Sequence, residues 1–342
     1  MRTTDAARGH RRGSALLAVL WLSAALAAIA FSLATTVRGE TERTSTAVDG
    51  LRAYYLAAGG LRRASMELLW SVMNPTKRLI PKGSTVVDYR FPSGDVHVEI
   101  VPEAAKLDVN HAPTEELFRV MVALGIDPGR AQDIALAIAD WRRPSFEGSA
   151  FDSYYLALTP SFRARHASFE EIEELLLVKG VTPDIFYGTY LPAGAGEGGS
   201  GAAGASGSSA GARLVPRAGL VDCLSVYGSR DQVDANTANP AVLAAVGLSP
   251  YAIGALLERR RLAPLTPEQL GGFMGSVGGN AGRLRVEGHS IVTMRATARL
   301  RLENGRLSDL RRTVAAQLKY LAPGYGTSQI HTLRWYDTAW SN

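Results

Sequence analysis

The longest hydrophobic run of the chain lies near its N-terminus. Residues 14–37, SALLAVLWLSAALAAIAFSLATTV, contain no charged side chain. A helix of that length spans about 36 Å at 1.5 Å per residue, enough to cross the ~30 Å hydrocarbon core of a bilayer. Because four arginines precede the run, we expect the N-terminus to stay in the cytoplasm while the rest of the chain crosses the membrane. A secretory signal peptide, whose apolar region is usually only ~7–15 residues long, and a plain membrane anchor are the alternatives.

The helical spacing of apolar residues continues beyond this run without a break. No proline occurs before Pro75, so the sequence predicts one helix from about Ser14 to Trp70, roughly 85 Å long. The second half of this helix is amphipathic and is expected to pack on a globular domain through residues three and four apart. The residues of this predicted stripe are Val48, Leu51, Tyr55, Ala58, Leu61, Ser65, Leu68 and Val72.

Short strand-like segments lie on both sides of a helical region. Pro92-Ser93-Gly94 separates the first two and is typical of a hairpin turn, and Asn304-Gly305 is a strong hairpin signal between two later ones. The order predicts an antiparallel sheet interrupted by a mostly helical insert. The predicted strands are residues 86–91, 95–101, 284–286, 291–302, 307–320 and 330–336.

The helical region contains an internal repeat. The segment LDVNHAP at 107–113 recurs as VDANTANP at 233–240, and an apolar-periodic segment follows each copy. We therefore expect two related helical units. Asn110 and Thr237 are predicted to lie in the N-cap regions of their helices, ahead of a first turn that tolerates proline.

Three Gly-apolar-polar-Pro turns indicate helix-hairpin-helix geometry. In each, glycine ends one helix and the polar residue caps the next, which begins with proline. Some proteins hold DNA phosphates with such hairpins, through a Gly-apolar-Gly turn whose backbone amides reach the phosphate. The second glycine is absent here, and Asp127 places a carboxylate where a phosphate would lie, so we favour a structural role, with a membrane-anchored DNA receptor as the alternative. The turns are residues 125–128, 180–183 and 247–250, with Asp127, Thr182 and Ser249 as caps.

Composition narrows the classes of function. The net charge is +5, but residues 1–13 carry +3 of it, so the rest of the chain lacks the basic excess of a nucleic-acid-binding body. The single cysteine, Cys223, excludes an internal disulfide and a Cys-rich zinc module. The histidines form no H-E-x-x-H pair, and the G-x-S-x-G match at 207–211 falls inside a flexible Gly/Ala/Ser-rich linker, 193–212. We expect no enzymatic activity and no catalytic residues.

The basic leader carries a family resemblance. Arg11-Arg12-Gly13 followed by Ser14 resembles the leader of type IV prepilins, which implies cleavage by prepilin peptidase between Gly13 and Ser14. Pilin families usually have glutamate at the fifth residue after the cleaved bond, where this chain has Ala18. Among pseudopilins the missing glutamate is typical of the K minor pseudopilins of type II secretion. Segments of the helical region at 138–142, 152–155 and 168–176 also resemble that family.

The resemblance implies an α+β fold in which a pilin-like N-terminal helix, transmembrane and then amphipathic, packs on an antiparallel sheet. A large α-helical domain is inserted in the sheet of that family. The chain would then divide into a leader (1–13), the transmembrane half of the helix (14–37), a first pilin-like part (38–103), the inserted helical domain (104–283, with the linker 193–212) and the C-terminal strands (284–342).

K pseudopilins bind calcium, and the resemblance points to the segment after Asp140. Related sequences read D-W-x-D-x-D followed by G-A-E-D, whereas Arg143, Ser145 and Phe151 stand here where acids are expected. Calcium needs several clustered oxygen ligands. No other cofactor is expected. The remaining candidate calcium ligands are Asp140, Glu147 and Asp152.

The resemblance also implies a place and partners. The expected role is that of a subunit at the tip of the pseudopilus, which initiates or caps a filament that exports folded proteins across the outer membrane. The expected partners are the minor pseudopilins I and J, prepilin peptidase, the inner membrane and secreted cargo, but no nucleic acid. The expected location is the bacterial inner membrane, crossed once, with the N-terminus cytoplasmic and the C-terminal domain periplasmic.

Overall fold

One helix of 63 residues, α1 (Arg11–Met73), begins the described chain. It belongs to a computed structural model that describes residues 11–74, 76–81, 83–192, 214–278, 281–286, 290–321 and 329–338. The long continuous helix predicted from the N-terminal pattern is therefore confirmed. Residues 1–10 of the leader and the linker 193–212 lie outside the described residues.

Two strands follow α1, then a helical region with short strand pairs, and finally three longer strands. Three short 3₁₀ helices lie at Glu103–Ala105, Ile172–Leu177 and Ala281–Arg283. The other elements, in chain order, are β1 (Val86–Phe91), β2 (Gly94–Pro102), β3 (Leu107–Asp108), α2 (Thr114–Ala123), α3 (Pro128–Trp141), α4 (Asp152–Leu156), α5 (Pro183–Tyr187), β4 (Thr189–Pro192), β5 (Leu214–Arg217), α6 (Leu220–Cys223), β6 (Leu224–Ser225), β7 (Val233–Asp234), α7 (Pro240–Ala245), α8 (Pro250–Leu262), α9 (Pro267–Ser276), β8 (Leu284–Arg285), β9 (Ile291–Arg301), β10 (Leu307–Tyr320) and β11 (Ile330–Tyr336).

The principal sheet has five antiparallel strands in the order β1-β2-β9-β10-β11. Strands β2 and β9 are neighbours although the whole helical region separates them in the chain. In the shared register, Val96 of β2 lies opposite Tyr89 of β1 and Ala298 of β9. The sheet thus combines strands that come before the insertion with strands that follow it, as the sequence predicts.

Helix α1 packs on one face of this sheet through small residues. Gly60 marks the closest approach, because a Cβ atom at this position would lie 2.5 Å from Val96 Cγ1. The predicted packing stripe is wrong in part, since Val48, Leu51, Tyr55 and Val72 are exposed. The first residue of β2, Gly94, lies against Leu56, and α1 turns its small residues rather than this stripe toward the sheet, with Ala53 buried and Tyr55 exposed. The buried residues of the packed face are Ala53, Ala57, Ala58, Leu61, Ala64 and Leu68.

Strand β2 runs in the same direction as α1. Gly94 lies against Leu56, and two residues later Val96 lies against Gly60. Four residues of helix and two of strand both advance about 6–7 Å, so the two elements keep this alignment along their length. Pro102, where β2 ends and the insertion begins, consequently lies near the C-terminal end of α1. The insert is carried far from the apolar first part of the helix.

The insert has its own hydrophobic core, separate from the core between α1 and the sheet. The core of the insert includes the apolar faces of α2, α3, α7 and α8 together with residues of the connecting segments, and helices α2 and α7 pack directly against each other. Charged contacts join the insert to the sheet: the Arg334 guanidinium of β11 lies 2.8 Å from Glu171 and 3.3 Å from Glu173, and Thr293 donates to Glu103. These contacts hold the insert against the sheet.

Strand β8 differs from the sequence prediction. Residues 284–286 are predicted to belong to the C-terminal strands, but β8 pairs in parallel with β7 of the insert. Leu284 is buried in the core of the insert, which explains why this short apolar segment stays there. The five-stranded sheet resumes only at Ile291.

Candidate functional site

The first part of α1 presents an unbroken apolar surface. All large apolar side chains from Leu16 to Val37 are more than half exposed. Among the described residues, one helix, Ala15–Met73, is long and apolar enough to cross a membrane. A bare apolar helix satisfies its backbone internally and is stable in hydrocarbon. This surface is suited to a lipid bilayer.

The residues of the predicted processing site lie at the start of α1. Gly13 and Ser14 fall in its first turn, and Ala18 follows about one turn later on an exposed position. Cleavage between Gly13 and Ser14 stays a prediction. The position of Ala18 places a small apolar side chain where the pilin families resembled here carry a carboxylate.

A second exposed apolar stripe lies on α1 between the membrane part and the sheet. It consists of Val48, Leu51 and Tyr55, at helical spacings of three and four. Leu51 is 57% exposed and Tyr55 66% exposed. Because its side chains are exposed along the whole stripe, this surface is open to another chain.

The predicted calcium ligands lie on the segment between α3 and α4, but the structure does not bring all three together. Asp140 accepts a hydrogen bond from the Ser149 hydroxyl at 2.7 Å, and Asp152 accepts one from the Ser149 amide at 2.9 Å. Glu147 is exposed on the loop between them. The described residues contain no group of three or more His, Cys, Asp or Glu side chains that could hold a metal ion. The residues present therefore do not fit calcium in this arrangement.

The electrostatics of Asp152 reflect these contacts. Burial raises the pKa of its carboxyl, but the hydrogen bonds from the Ser149 amide and from His166 outweigh burial. The pKa of Asp152 consequently lies below its ordinary value, and the carboxylate is stabilised by protein donors.

The two repeat units fold alike around one aspartate each. Asp108 accepts from the Asn110 amide at 2.8 Å, and its other oxygen lies 2.7 Å from His111 Nδ1. Asp234 occupies the same position in the second unit, where it accepts from the Asn236 amide and from the Thr237 hydroxyl. These carboxylates fix the turn that precedes each helix.

The asparagine of each unit holds a distant backbone segment rather than capping a helix. Asn110 exchanges two hydrogen bonds with the backbone of Phe169, at 3.0 and 2.7 Å, and Asn236 does the same with Leu265, at 3.0 and 2.8 Å. The prediction of Asn110 and Thr237 as N-cap positions is wrong. Pro113 and Asn239 occupy the caps instead, because Asn110 is engaged with the backbone of Phe169 and the Thr237 hydroxyl with Asp234.

An arginine completes each unit, and sequence reasoning missed both. Arg142 donates to the carbonyls of Val109 and Ala112, each at 2.6 Å. Arg260 donates to the equivalent carbonyls of Ala235 and Ala238, at 3.3 and 2.8 Å. Burial lowers the pKa of both guanidinium groups from the ordinary arginine value.

A spacing signal could have identified these arginines. Arg142 follows Pro128, the first residue of α3, by 14 positions, and Arg260 follows Pro250, the first residue of α8, by 10. The difference of four residues is close to one helical turn, so both side chains emerge on the same face of their helices. Both therefore point back at their own repeat segments.

In two of the helix-hairpin-helix turns, a side chain of the turn caps the N-terminus of the helix that follows. The Asp127 carboxylate accepts from the Arg130 amide at 3.1 Å, and the Ser249 hydroxyl accepts from the Ala252 amide at 3.2 Å, as predicted, whereas Thr182 makes no side-chain cap. A negatively charged side chain at the N-terminus of α3 takes the position that a phosphate would need. The geometry supports a structural role for these hairpins.

Together these features define a class of protein. A long helix with a bare apolar first part, packed on an antiparallel sheet into which a helical domain is inserted, is the architecture of a pilin-like membrane protein. Residues 99–188 match the family model described as Type II secretion system (T2SS), protein K. The resemblance to the K family is thus confirmed, and the insert motifs at 138–142, 152–155 and 168–176 all lie within the matched residues.

Curated proteins with this description are similar to the chain. Type II secretion system protein K of Klebsiella pneumoniae is 25% identical over 198 residues, which cover 52% of this chain and 60% of that protein. A putative type II secretion system protein K of Escherichia coli strain K12 is 26% identical over 202 residues, with the same coverage. The match thus spans about three fifths of the length of these relatives.

A solved structure shares the fold. It is the crystal structure of the GspK-GspI-GspJ complex from the type 2 secretion system of enterotoxigenic Escherichia coli, in which one chain matches with a TM-score of 0.53 at 15% identity. The similarity covers 87% of this chain and all of that chain. It supports the α+β fold with a long N-terminal helix and an antiparallel sheet.

Proposed function

We propose that this protein is a minor pseudopilin that occupies the tip of a type II secretion pseudopilus and initiates or caps its assembly. The observation that carries the proposal is the position of the insert, beside the C-terminal end of α1 and far from the apolar part. In a filament built from packed N-terminal helices, that end faces away from the membrane. A bulky domain there is compatible with a tip and hard to fit along a packed shaft.

Ala18 supports the same position in the filament. In the pilin families resembled here, the fifth-position glutamate is thought to pair with the N-terminal amine of the neighbouring subunit ahead. A charged carboxylate without a partner costs on the order of 2.5–3.5 kcal/mol at the centre of a membrane helix. A tip subunit has no subunit ahead of it, and alanine avoids this cost.

The exposed surface of α1 and the similarity to the GspK-GspI-GspJ complex support the choice of partner subunits. The exposed stripe of Val48, Leu51 and Tyr55 is suited to helix packing with neighbouring subunits, which we take to be I-like and J-like minor pseudopilins. Prepilin peptidase would remove residues 1–13, and the secreted cargo would contact the tip. The chain would cross the inner membrane once, with its C-terminal domain in the periplasm, and would act by assembly without catalysing a reaction.

Imaging of sheared pseudopili tests the tip position. The native thiol Cys223 is completely buried, and burial raises its pKa, so it should not react with a maleimide label. Leu262→Cys, at a residue 85% exposed on the insert, provides a reactive thiol for a gold label.

We expect one label at one end of each pseudopilus and no label on filaments that contain the unsubstituted chain. Label distributed along the shaft would contradict the tip assignment while leaving a pseudopilin role intact. Absence of the protein from pseudopili would contradict the whole proposal.

A further inference from the structure

The segment between α3 and α4, residues 142–151, is closed by a chain of hydrogen bonds from its own residues. The Ser149 hydroxyl donates to Asp140 and accepts from the Phe151 amide at 3.1 Å, while the Ser149 amide donates to Asp152 Oδ2. The Ser145 hydroxyl closes the outer turn by donating to the Gly148 carbonyl at 2.7 Å. Every step of this network uses protein donors and acceptors.

His166 supplies the last link from a distant segment. Its Nε2 lies 3.0 Å from Asp152 Oδ1 and 3.2 Å from Oδ2. Because a carboxylate accepts hydrogen bonds, the proton is on Nε2. The side chain is only 10% exposed, and its buried Nδ1 has no hydrogen-bond partner among the described residues. The contact with Asp152 is therefore what positions this ring.

The backbone of His166 agrees with this interpretation. Its φ of +48° lies in the left-handed region, which residues other than glycine adopt rarely and only where surrounding contacts hold them there. The hydrogen bond to Asp152 and the burial of the ring are such contacts.

Gly148 covers the remaining side of Asp152. Its φ is +85°, and a Cβ atom at this position would lie 2.7 Å from Asp152 Oδ2. Glycine thus lets the loop backbone lie directly against the carboxylate. With the Ser149 amide and the His166 ring also in place, both oxygens of Asp152 are engaged by the protein.

We propose that the His166 imidazole and the Ser149 amide take the place at Asp152 that the family resemblance assigns to calcium, so that the insert keeps its structure without a bound divalent cation. Calcium ligands are also missing at Arg143, Ser145 and Phe151, where the family resemblance leads us to expect acids, and this agrees with a loop that holds no cation. A protein side chain from a distant segment, His166, then holds the loop in place of a cation.

Two measurements on the full-length protein in detergent, prepared with a chelator, test this proposal. Equilibrium dialysis with radioactive calcium measures binding directly and needs no variant. Limited chymotrypsin digestion, followed by mass spectrometry, measures cleavage after Phe146, which is fully exposed within the loop. A cut there requires the loop to open locally, so its rate reports on loop closure.

We expect no saturable calcium binding at micromolar concentrations and a cleavage rate that calcium does not change. His166→Ala should raise the cleavage rate at Phe146 by about tenfold, because a buried hydrogen bond to a charged group is lost. His97→Ala is the matched control: His97 also lies 2.7 Å from an aspartate, Asp88, but on the exposed surface of the sheet, and its loss should leave the rate unchanged.

Micromolar calcium binding, or protection of Phe146 by calcium in the unsubstituted protein, would overturn the proposal. Equal cleavage rates for His166→Ala and the unsubstituted protein would do the same. If His166→Ala fails to fold, Ser149→Ala removes the hydroxyl that links Asp140 to the loop and should accelerate the same cut.

Discussion

At the residue scale, two half-buried guanidinium groups hold the repeat segments of the insert. Arg142 and Arg260 each bridge two backbone carbonyls of a repeat segment, which would otherwise lack those donors. Arg142 uses the planar fork of its guanidinium, since Nη1 and Nη2 donate to one carbonyl each, whereas Nη1 of Arg260 donates to both of its carbonyls.

Arg260→Ala is expected to lower the free energy of unfolding by about 2–4 kcal/mol, because two hydrogen bonds to a charged donor are lost in a partly buried site. Arg142→Ala should cost a similar amount, and Arg142→Lys should recover only a small part of it, because a single ammonium does not match the two carbonyls that Nη1 and Nη2 reach. Denaturant unfolding of the protein in detergent measures these changes. The neighbouring Arg261 is exposed and pairs only with Glu258, so Arg261→Ala should change stability by less than about 0.5 kcal/mol. Similar losses for Arg260→Ala and Arg261→Ala would contradict the bridging role.

The buried carboxyl of Glu116 predicts that the stability of the protein depends on pH. Glu116 Oε1 lies 2.8 Å from Arg283 Nη2, but Oε2 is buried without a hydrogen-bond partner among the described residues. Burial raises the pKa of Glu116 above its ordinary value despite the nearby arginines. Glu116 therefore binds a proton more readily in the folded than in the unfolded state, and the stability that protonation contributes is lost as the pH rises through the raised pKa.

Glu116→Gln should accordingly be more stable than the unsubstituted protein at pH 7.5, and the two should converge as the pH falls below the usual range of glutamate. Unfolding curves at several pH values measure the difference. Glu115→Gln, on the exposed neighbouring residue, should show no such pH-dependent gain. A Glu116→Gln variant that is less stable at pH 7.5 would show that the ion pair with Arg283 outweighs burial.

The sequence reveals some of the residues that organise the insert but not the residues that they contact. The repeated Asp and Asn are visible because they fall within a few residues of each other and recur at the same offsets. Their partners Phe169 and Leu265 lie 59 and 29 residues away, and only the folded chain brings those backbones within hydrogen-bond distance. The same holds for His166, whose contact with Asp152 spans 14 residues with no periodic signal.

At the element scale, the fit between α1 and the sheet depends on the absence of a side chain at one position. Gly60 faces Val96 on the packed side of α1, while Gly59 points away, with nothing within 4 Å of its would-be Cβ. An alanine at Gly59 would therefore change only the helix propensity of α1, whereas an alanine at Gly60 would also change its packing on the sheet. Periodicity alone predicted that α1 would pack on a sheet, but it selected the larger side chains, several of which are exposed.

Gly60→Ala is expected to destabilise the protein by about 1–3 kcal/mol, because the added methyl group would overlap Val96 in a packed core. Gly59→Ala should instead stabilise it by about 0.5–1 kcal/mol, since alanine favours the helix and meets no neighbour. Thermal unfolding of the two variants compares them directly. Stabilisation by both substitutions would mean that α1 does not lie this close to β2.

At the scale of the whole molecule, the order of elements places the functional surfaces along one axis. The bare apolar part of α1 lies at one end, the exposed stripe of Val48, Leu51 and Tyr55 follows, and the insert lies beside the far end. Sequence patterns predicted the apolar segment, the sheet and the insertion because each has its own periodicity. They misplaced β8, because a two-residue strand has no periodicity that could assign it to one sheet or another.

The contact between the insert and the sheet could not be predicted from the pattern of apolar and polar residues. Arg334, Glu171 and Glu173 meet across more than 160 residues of chain, and charged side chains at such separations show no sequence signal. This junction fixes the insert at the end of α1, and the tip proposal depends on that position.

The measurement that tests the central claim most directly is the intact mass of the protein purified from membranes that contain prepilin peptidase. A pilin-like subunit should be cut between Gly13 and Ser14, so the mass should correspond to a chain that begins at Ser14, and Gly13→Leu should retain the leader. A full-length mass for the unsubstituted protein, or a cut at or beyond residue 24 as a signal peptidase would make, would contradict the assignment to the pseudopilins.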